Sequence, residues 1–333
     1  MAAAYQTGTA TSPTDLLNLL VTFLNGQGWT TDSSVTDGTG KRAHLHKGSD
    51  YLNLRSHVAE DVWPNVQVFA PSTGIALYMG TGYSGASSWS LQAGGPKANG
   101  TTDTVGATMR LGSGAISAYH FFDNGSDGIF VVVERSGGLF THLGFGRTFG
   151  KAGTWTGGAY FEAALPGKYG GTSTPVQGDD NDTAGPPGAL TQPFNQVSST
   201  QLGASLFVRA DVDAFTSKWI GFSTTSTTPQ DGYTGKKGTM GIDYSTGTAL
   251  LPTGLAHYRP LAQHLVSAFN AQAVLLPLRA WVERDAGGFS VLGTFPDVFV
   301  AYAVESGYAP GSIYSVNGKN FMLFPRMAVR KYA

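Results

Sequence analysis

The chain has 333 residues, of which 41% are hydrophobic and 12% aromatic; it can bury one large or two medium cores, which excludes a disordered linker. Charged residues make up 13%, about half the usual share, and the net charge is -1 with no block of Lys and Arg; no broad face attracts a phosphate backbone, so nucleic acid is not an expected partner. Cysteine is absent, which excludes disulfides and thiolate metal sites, and no stretch approaches the roughly 18 apolar residues of a membrane span, so no membrane partner is expected.

Residues 1–11, from Met1 to Thr11, are polar, lack the basic and apolar blocks of a secretion signal, and read as an N-terminal arm. Such an arm is either mobile or ordered against a neighbouring subunit, and Tyr5, Gln6, Thr7 and Thr9 are its candidate assembly residues. Ser12-Pro13-Thr14-Asp15 then starts a helix, with Ser12 at the cap, Pro13 at the first helical position and Asp15 near the positive end of the dipole. Leu16, Leu17, Leu20, Phe23 and Leu24 repeat at helical spacing, and Gly26 and Gly28 stop the helix before Trp29.

Strands are expected over Ala43 to Arg55, Val66 to Phe69, Gly74 to Met79, Ala115 to Phe122, Ile129 to Arg135 and Leu139 to Phe145, all rich in β-branched and aromatic residues. Residues 12–165 thus form a β-rich domain carrying the first helix. The stretch 166–200 is low in apolar residues and dense in Gly, Pro and Asp, the composition of a long loop or arm, with Asp179, Asp180 and Asp182 as candidate assembly residues. Residues 201–333 form a second β-rich domain with one helix over Pro260 to Ala273. Its end alternates short strands with turns: Val298 to Val304, Ser312 to Val316, an Asn317-Gly318 hairpin turn, and Asn320 to Phe324. With 46 Gly and 16 Pro interrupting long elements, the expected fold is mainly β, antiparallel and sandwich-like, with a few short helices.

Motifs that carry chemistry are few. Gly80-Thr-Gly82-Tyr-Ser-Gly85 spells the dinucleotide fingerprint, but no amphipathic helix follows it to bind a phosphate; it reads as a turn between strands, and no cofactor is expected. His44 and His46 share one face of a strand at a spacing metals use, with His57, His120, His142, Asp50 or Glu60 as third ligands; the plainer reading is a pair of polar strand residues. Asp123 to Gly128 and Asp179 to Asp182 cluster oxygen donors without an EF-hand loop and read as a turn and a solvated loop. No G-x-S-x-G elbow, P-loop or H-E-x-x-H helix is present, so no catalytic residue is assigned. Trp63, Tyr83, Trp89, Trp155 and Trp219 sit among Gly, Ser and Pro and are either sugar-stacking rings or buried anchors at strand ends.

Four separated blocks carry a resemblance: YQTGTATSPTDLLNLLVTFLNGQGW at the start, GIALYMGTGYSGASSWSLQ and AISAYHFFDNGSDGIFVVVERSGGLFTHLGFG in the middle, and VLGTFPDVFVAYAVESGYAPGSIYSVNGKNFMLFPRMAVRK at the end. Together they span about half the chain, and they resemble virion structural proteins of tailed bacteriophages. The resemblance implies a non-enzymatic subunit located in the virion, a ring-forming neck, collar or tail component. Its expected partners are copies of itself and other neck or tail proteins. The alternative is a fibre or decoration module that binds a host glycan; a polysaccharide depolymerase with paired carboxylates is a weaker one.

Overall fold

A computed structural model describes residues 2–62, 72–96, 104, 106–112, 115–125, 128–135, 139–148, 158–163, 206–212, 215–222, 273–283, 289–304, 309–316, 318–324 and 327–333. The fold is mostly β, with three open antiparallel sheets and, among the described residues, a single α-helix.

Helix α1 spans Pro13–Gly26. Its first turn is built as the sequence requires: the Ser12 hydroxyl accepts from the Asp15 backbone NH at 3.1 Å, and the Asp15 carboxylate accepts from the Thr11 NH at 2.8 Å. Leu16, Leu17, Leu20 and Leu24 are fully buried along one face. Gly28, at φ 78, turns the chain out of the helix, a conformation that only glycine adopts without strain.

A five-stranded sheet follows, in the order β2 (Thr30–Asp37), β3 (Gly40–Lys47), β4 (Asp50–Glu60), β5 (Ser72–Gly80) and β6 (Ala107–Arg110). The single strand expected from Ala43 to Arg55 is a hairpin, because Gly48, at φ 61, reverses the chain between Lys47 and Asp50. Strand β2 escapes the apolar pattern altogether: TTDSSVTD is polar, and it is recruited as an edge by pairing with β3.

The largest sheet has seven strands in the order β1 (Ala4–Ala10), β7 (Ile116–Asp123), β8 (Gly128–Arg135), β9 (Leu139–Arg147), β10 (Ala159–Ala163), β11 (Leu206–Val212) and β12 (Phe215–Phe222). Two expected boundaries change here. Residues 4–10, expected as a free arm, form β1, which pairs antiparallel with β7 from Ala4↔Asp123 to Ala10↔Ile116. Strands β11 and β12 lie beyond residue 200, yet they extend the sheet of the first half through β10, as in Phe161↔Phe207. Strand β1 has no apolar stripe of its own and is ordered by the ladder it joins.

The third sheet takes the order β13 (Ala273–Glu283), β14 (Phe289–Val304), β17 (Met327–Lys331), β16 (Lys319–Phe324) and β15 (Ile313–Val316). Gly318, at φ 70, turns the β15–β16 hairpin where the Asn-Gly pair places it. Within the Phe295-Pro296-Asp297 segment of β14, Asp297 has φ 57, and its carboxylate accepts from the Tyr332 hydroxyl at 2.6 Å. The segments Val66 to Phe69, 166–200 (with Asp179, Asp180 and Asp182) and 260–272 lie outside the described residues, and Ala273 opens β13.

Alternation along β7 sorts the layers. Phe121 faces α1, 5.5 Å from Phe23, and Phe145 of β9 meets Trp29 edge-on at 5.6 Å; these rings close a core between α1, the five-stranded sheet and the seven-stranded sheet. His120 and Phe122 face the other way, where Phe324 of β16 packs at 5.7 and 6.4 Å, so the third sheet covers the opposite side.

Candidate assembly edge and polar sites

The two histidines of β3 have separate partners. His44 is 2% exposed, its Nδ1 lies 2.6 Å from Asn53 Oδ1 on β4, and Tyr83 stacks beside it at 4.8 Å. Burial lowers its pKa, so the ring is neutral near pH 7 and donates Nδ1–H to Asn53. His46 is bonded to both carboxylate oxygens of Asp32 at 2.9 Å, because a bulge between Thr31 and Ser33 delivers Asp32 to it.

The possible third ligands are engaged elsewhere. His57 Nε2 bonds Ser72 Oγ at 3.0 Å, and His120 Nδ1 bonds the Tyr5 hydroxyl at 2.9 Å. Glu60 accepts from Thr39 and Arg55, and Asp50 accepts two bonds from Arg147, at 2.5 and 2.8 Å. His142 lies 3.0 Å from Glu162, Nε2 to Oε2, with both side chains at most 1% exposed in the face turned to the third sheet. Gly144 leaves room for that pair, since a Cβ there would stand 2.8 Å from Glu162 Oε1. Among the described residues no group of three metal-ligating side chains converges.

The Gly80 to Gly85 segment is a turn that packs on the outer face of the five-stranded sheet. Its organiser is Gln92, which the sequence reading missed. This side chain is 1% exposed; its Oε1 accepts from the Ser84 NH at 2.7 Å and its Nε2 reaches the carbonyls of Ser84, Ser87 and Ser88 at 3.1 Å. Nothing in the residue pattern marks a glutamine in a Ser- and Gly-rich loop as buried. The same loop carries Trp89, buried against Tyr78 at 5.3 Å, while Trp219 donates Nε1–H to the Gly94 carbonyl at 2.7 Å. At 3% and 5% exposure these two rings are anchors and present no sugar-stacking face, whereas Trp63 and Trp155 lie outside the described residues.

The Asp123 to Gly128 cluster is likewise a turn: Asp123 Oδ1 accepts from the Gly125 NH at 2.8 Å, and Asn124 Oδ1 from the Gly128 NH at 3.0 Å. Beside it a cavity of about 260 Å³ opens between the five- and seven-stranded sheets, walled by Trp29, Lys47, Asp50, Asp123 and Arg147. Asp50 bridges the sheets there through its two-pronged contact with Arg147.

No protein-family model and no curated protein matches this chain. Of the candidate assembly residues, Tyr5, Gln6 and Thr7 bond inward to their own sheet. The Gln6 amide donates to the Tyr119 hydroxyl at 3.1 Å, and the Thr7 hydroxyl donates to the Tyr119 carbonyl at 2.8 Å. Gly8 packs so closely that a Cβ would stand 2.7 Å from the Tyr119 hydroxyl oxygen. Thr7 and Thr9 are exposed, and among the described residues β1 is the outermost strand of its sheet, paired with β7 on one side only.

Proposed function

We propose that the protein is a structural, non-enzymatic subunit of a tailed-bacteriophage particle, a ring-forming neck, collar or tail component that assembles with copies of itself and with other neck or tail proteins. The observation that carries this reading is the scaffold of three open sheets, each ending in edge strands whose outer NH and CO groups suit pairing with another chain. The low share of charge supports it, since permanent contact between subunits needs fewer solvating groups than free existence at high concentration. So does the way histidines and carboxylates are engaged with scaffold partners. The four sequence blocks that resemble virion proteins point to the same role.

The experiment is mass spectrometry and cross-linking of purified particles of the phage that encodes the chain. The protein should be present at a fixed copy number, cross-linked to itself and to neck or tail proteins. Its absence from washed particles would overturn the proposal.

A further inference from the structure

Among the described residues six edge strands terminate the three sheets, and proteins keep such edges from indiscriminate pairing with charge, proline or shortness. Five of the six carry one of these devices. β2 has Asp32 and Asp37; β12 has Lys218; β13 has Pro277, Arg279 and Glu283. β6 and β15 have four residues each, and β6 also ends on Arg110. β1 differs: seven residues, AYQTGTA, without charge or proline, and its one irregularity, between Gly8 and Ala10, leaves Ala4 to Gly8 in regular register.

From this difference we infer that β1 is the self-association edge, and that it pairs antiparallel with β1 of a second copy of this chain about a two-fold axis. The inference rests on the assembly reading above and assigns one of its contacts, the two-fold one; closing a ring takes a second, heterologous contact on another face. A copy of β1 is the natural partner because every other edge strand of comparable length carries charged residues in its sequence, whereas β1 carries none. Two-fold pairing of one strand with itself is self-complementary by construction. The regular run Ala4 to Gly8 is centred on Gln6, so Gln6 faces Gln6 across the axis and Tyr5 faces Thr7. Rotation about an axis normal to the sheet keeps like faces together: Tyr5 and Thr7, which both contact His120, adjoin on the side of the third sheet, and Gln6 lies on the side of Tyr119. The Gln6 Nε2 already donates to Tyr119, which leaves a second amide hydrogen and the Oε1 acceptor to meet the same groups of the other copy. Lys331 lies 4.5 Å over the Tyr5 ring of its own chain.

The test is the solution mass of the full chain across a concentration series, by light scattering and native mass spectrometry, with Gln6→Lys, Gln6→Glu and an equimolar mixture of the two. Wild type should show twice the chain mass of 34.9 kDa. Each single variant should weaken dimerisation at least about tenfold, because like charges meet at the axis, and the mixture should recover it to within about threefold of wild type. Melting temperatures of the separate variants verify that each is folded. Ser34→Lys on the β2 edge should leave the dimer intact. Hydrogen exchange adds a readout independent of folding defects: alternate NH groups of Ala4 to Gly8 should gain protection as the dimer forms. A single-chain mass at every concentration, dimerisation retained by both charge variants, or protection of those amides already in the monomer would each overturn the inference. None of these results bears on whether the protein is found in particles, so the two proposals fail separately.

Discussion

Facing inward, the five-stranded sheet meets α1 and the seven-stranded sheet through Ala43, Leu45, Leu54 and Leu77, all fully buried. Facing outward, the same strands carry His44, Asn53, Arg55 and Tyr78, which are buried or half-buried as well, under the loop that holds Trp89 and Gln92. The inner side is held by apolar area and shape, and any well-fitting hydrocarbon serves it. The outer side is held by directional bonds. Arg55 lies between Asp37 and Glu60 with the Trp89 ring 5.9 Å away, Tyr78 donates to the Trp89 carbonyl, and Gln92 binds three successive parts of the loop. The lesson is that burial alone does not make a core tolerant: on the inner side a lost methylene costs its area, while on the outer side a lost polar atom leaves its former partners buried without a bond.

Four experiments sharpen or break this contrast. The largest effect belongs to Leu20→Asp in α1, fully buried among aliphatic side chains. An isolated carboxylate there costs several kcal/mol, so the variant should be insoluble or unfolded by circular dichroism, whereas Asn18→Asp on the exposed side of the helix should fold normally. Next comes Gln92→Leu, which keeps the volume and removes the bonds to Ser84, Ser87 and Ser88. Its expected cost is about 2–3 kcal/mol in denaturant unfolding, with faster exchange of the Ser84 amide. An unchanged midpoint would mean that the loop is held by Trp89 packing alone.

The third is a pH effect. Burial pushes the His57 imidazole down from 6.5 to about 4. The unfolded chain therefore binds the proton more readily across that window, so this histidine's contribution is fully present above about pH 6.5 and is lost as the pH falls towards about 4, by about 3 kcal/mol. His57→Asn should flatten that part of the stability profile; a profile identical to wild type would remove His57 from the account. The smallest effect is expected for Arg147→Ala. Its side chain is 41% exposed, so loss of the Asp50 pair should cost only about 0.5 kcal/mol, a difference that 1 M salt should nearly erase.

How much of this was legible in the residues varies by region. The Leu16 to Leu24 face, the Ser12 cap and the strands Gly74 to Met79, Ile129 to Arg135 and Leu139 to Phe145 follow from period and capping chemistry, because each pattern is complete within one segment. Strand β1 did not: AYQTGTA has no apolar stripe, and it becomes a strand only because β7 offers it a ladder. Likewise, Tyr5, Gln6 and Thr7 read as assembly residues, and the residue pattern gave no sign of the partners they find within their own chain, Tyr119 and His120. Gln92 carried no signal at all.

By itself, then, the sequence determined the mainly β class, the amphipathic helix, the turns at Gly28 and Gly318, and the poverty of charge, since propensity, period and composition are local quantities. Tertiary structure decided which strands stand at the edges, that β11 and β12 complete the sheet begun by β1, and that Trp89 and Trp219 are anchors. It also decided that His44 and His46 answer to different partners. Those outcomes depend on pairings between residues up to more than a hundred positions apart, such as Tyr5 with His120, and the alternation of side chains along one strand holds no information about which other strand will come to lie beside it.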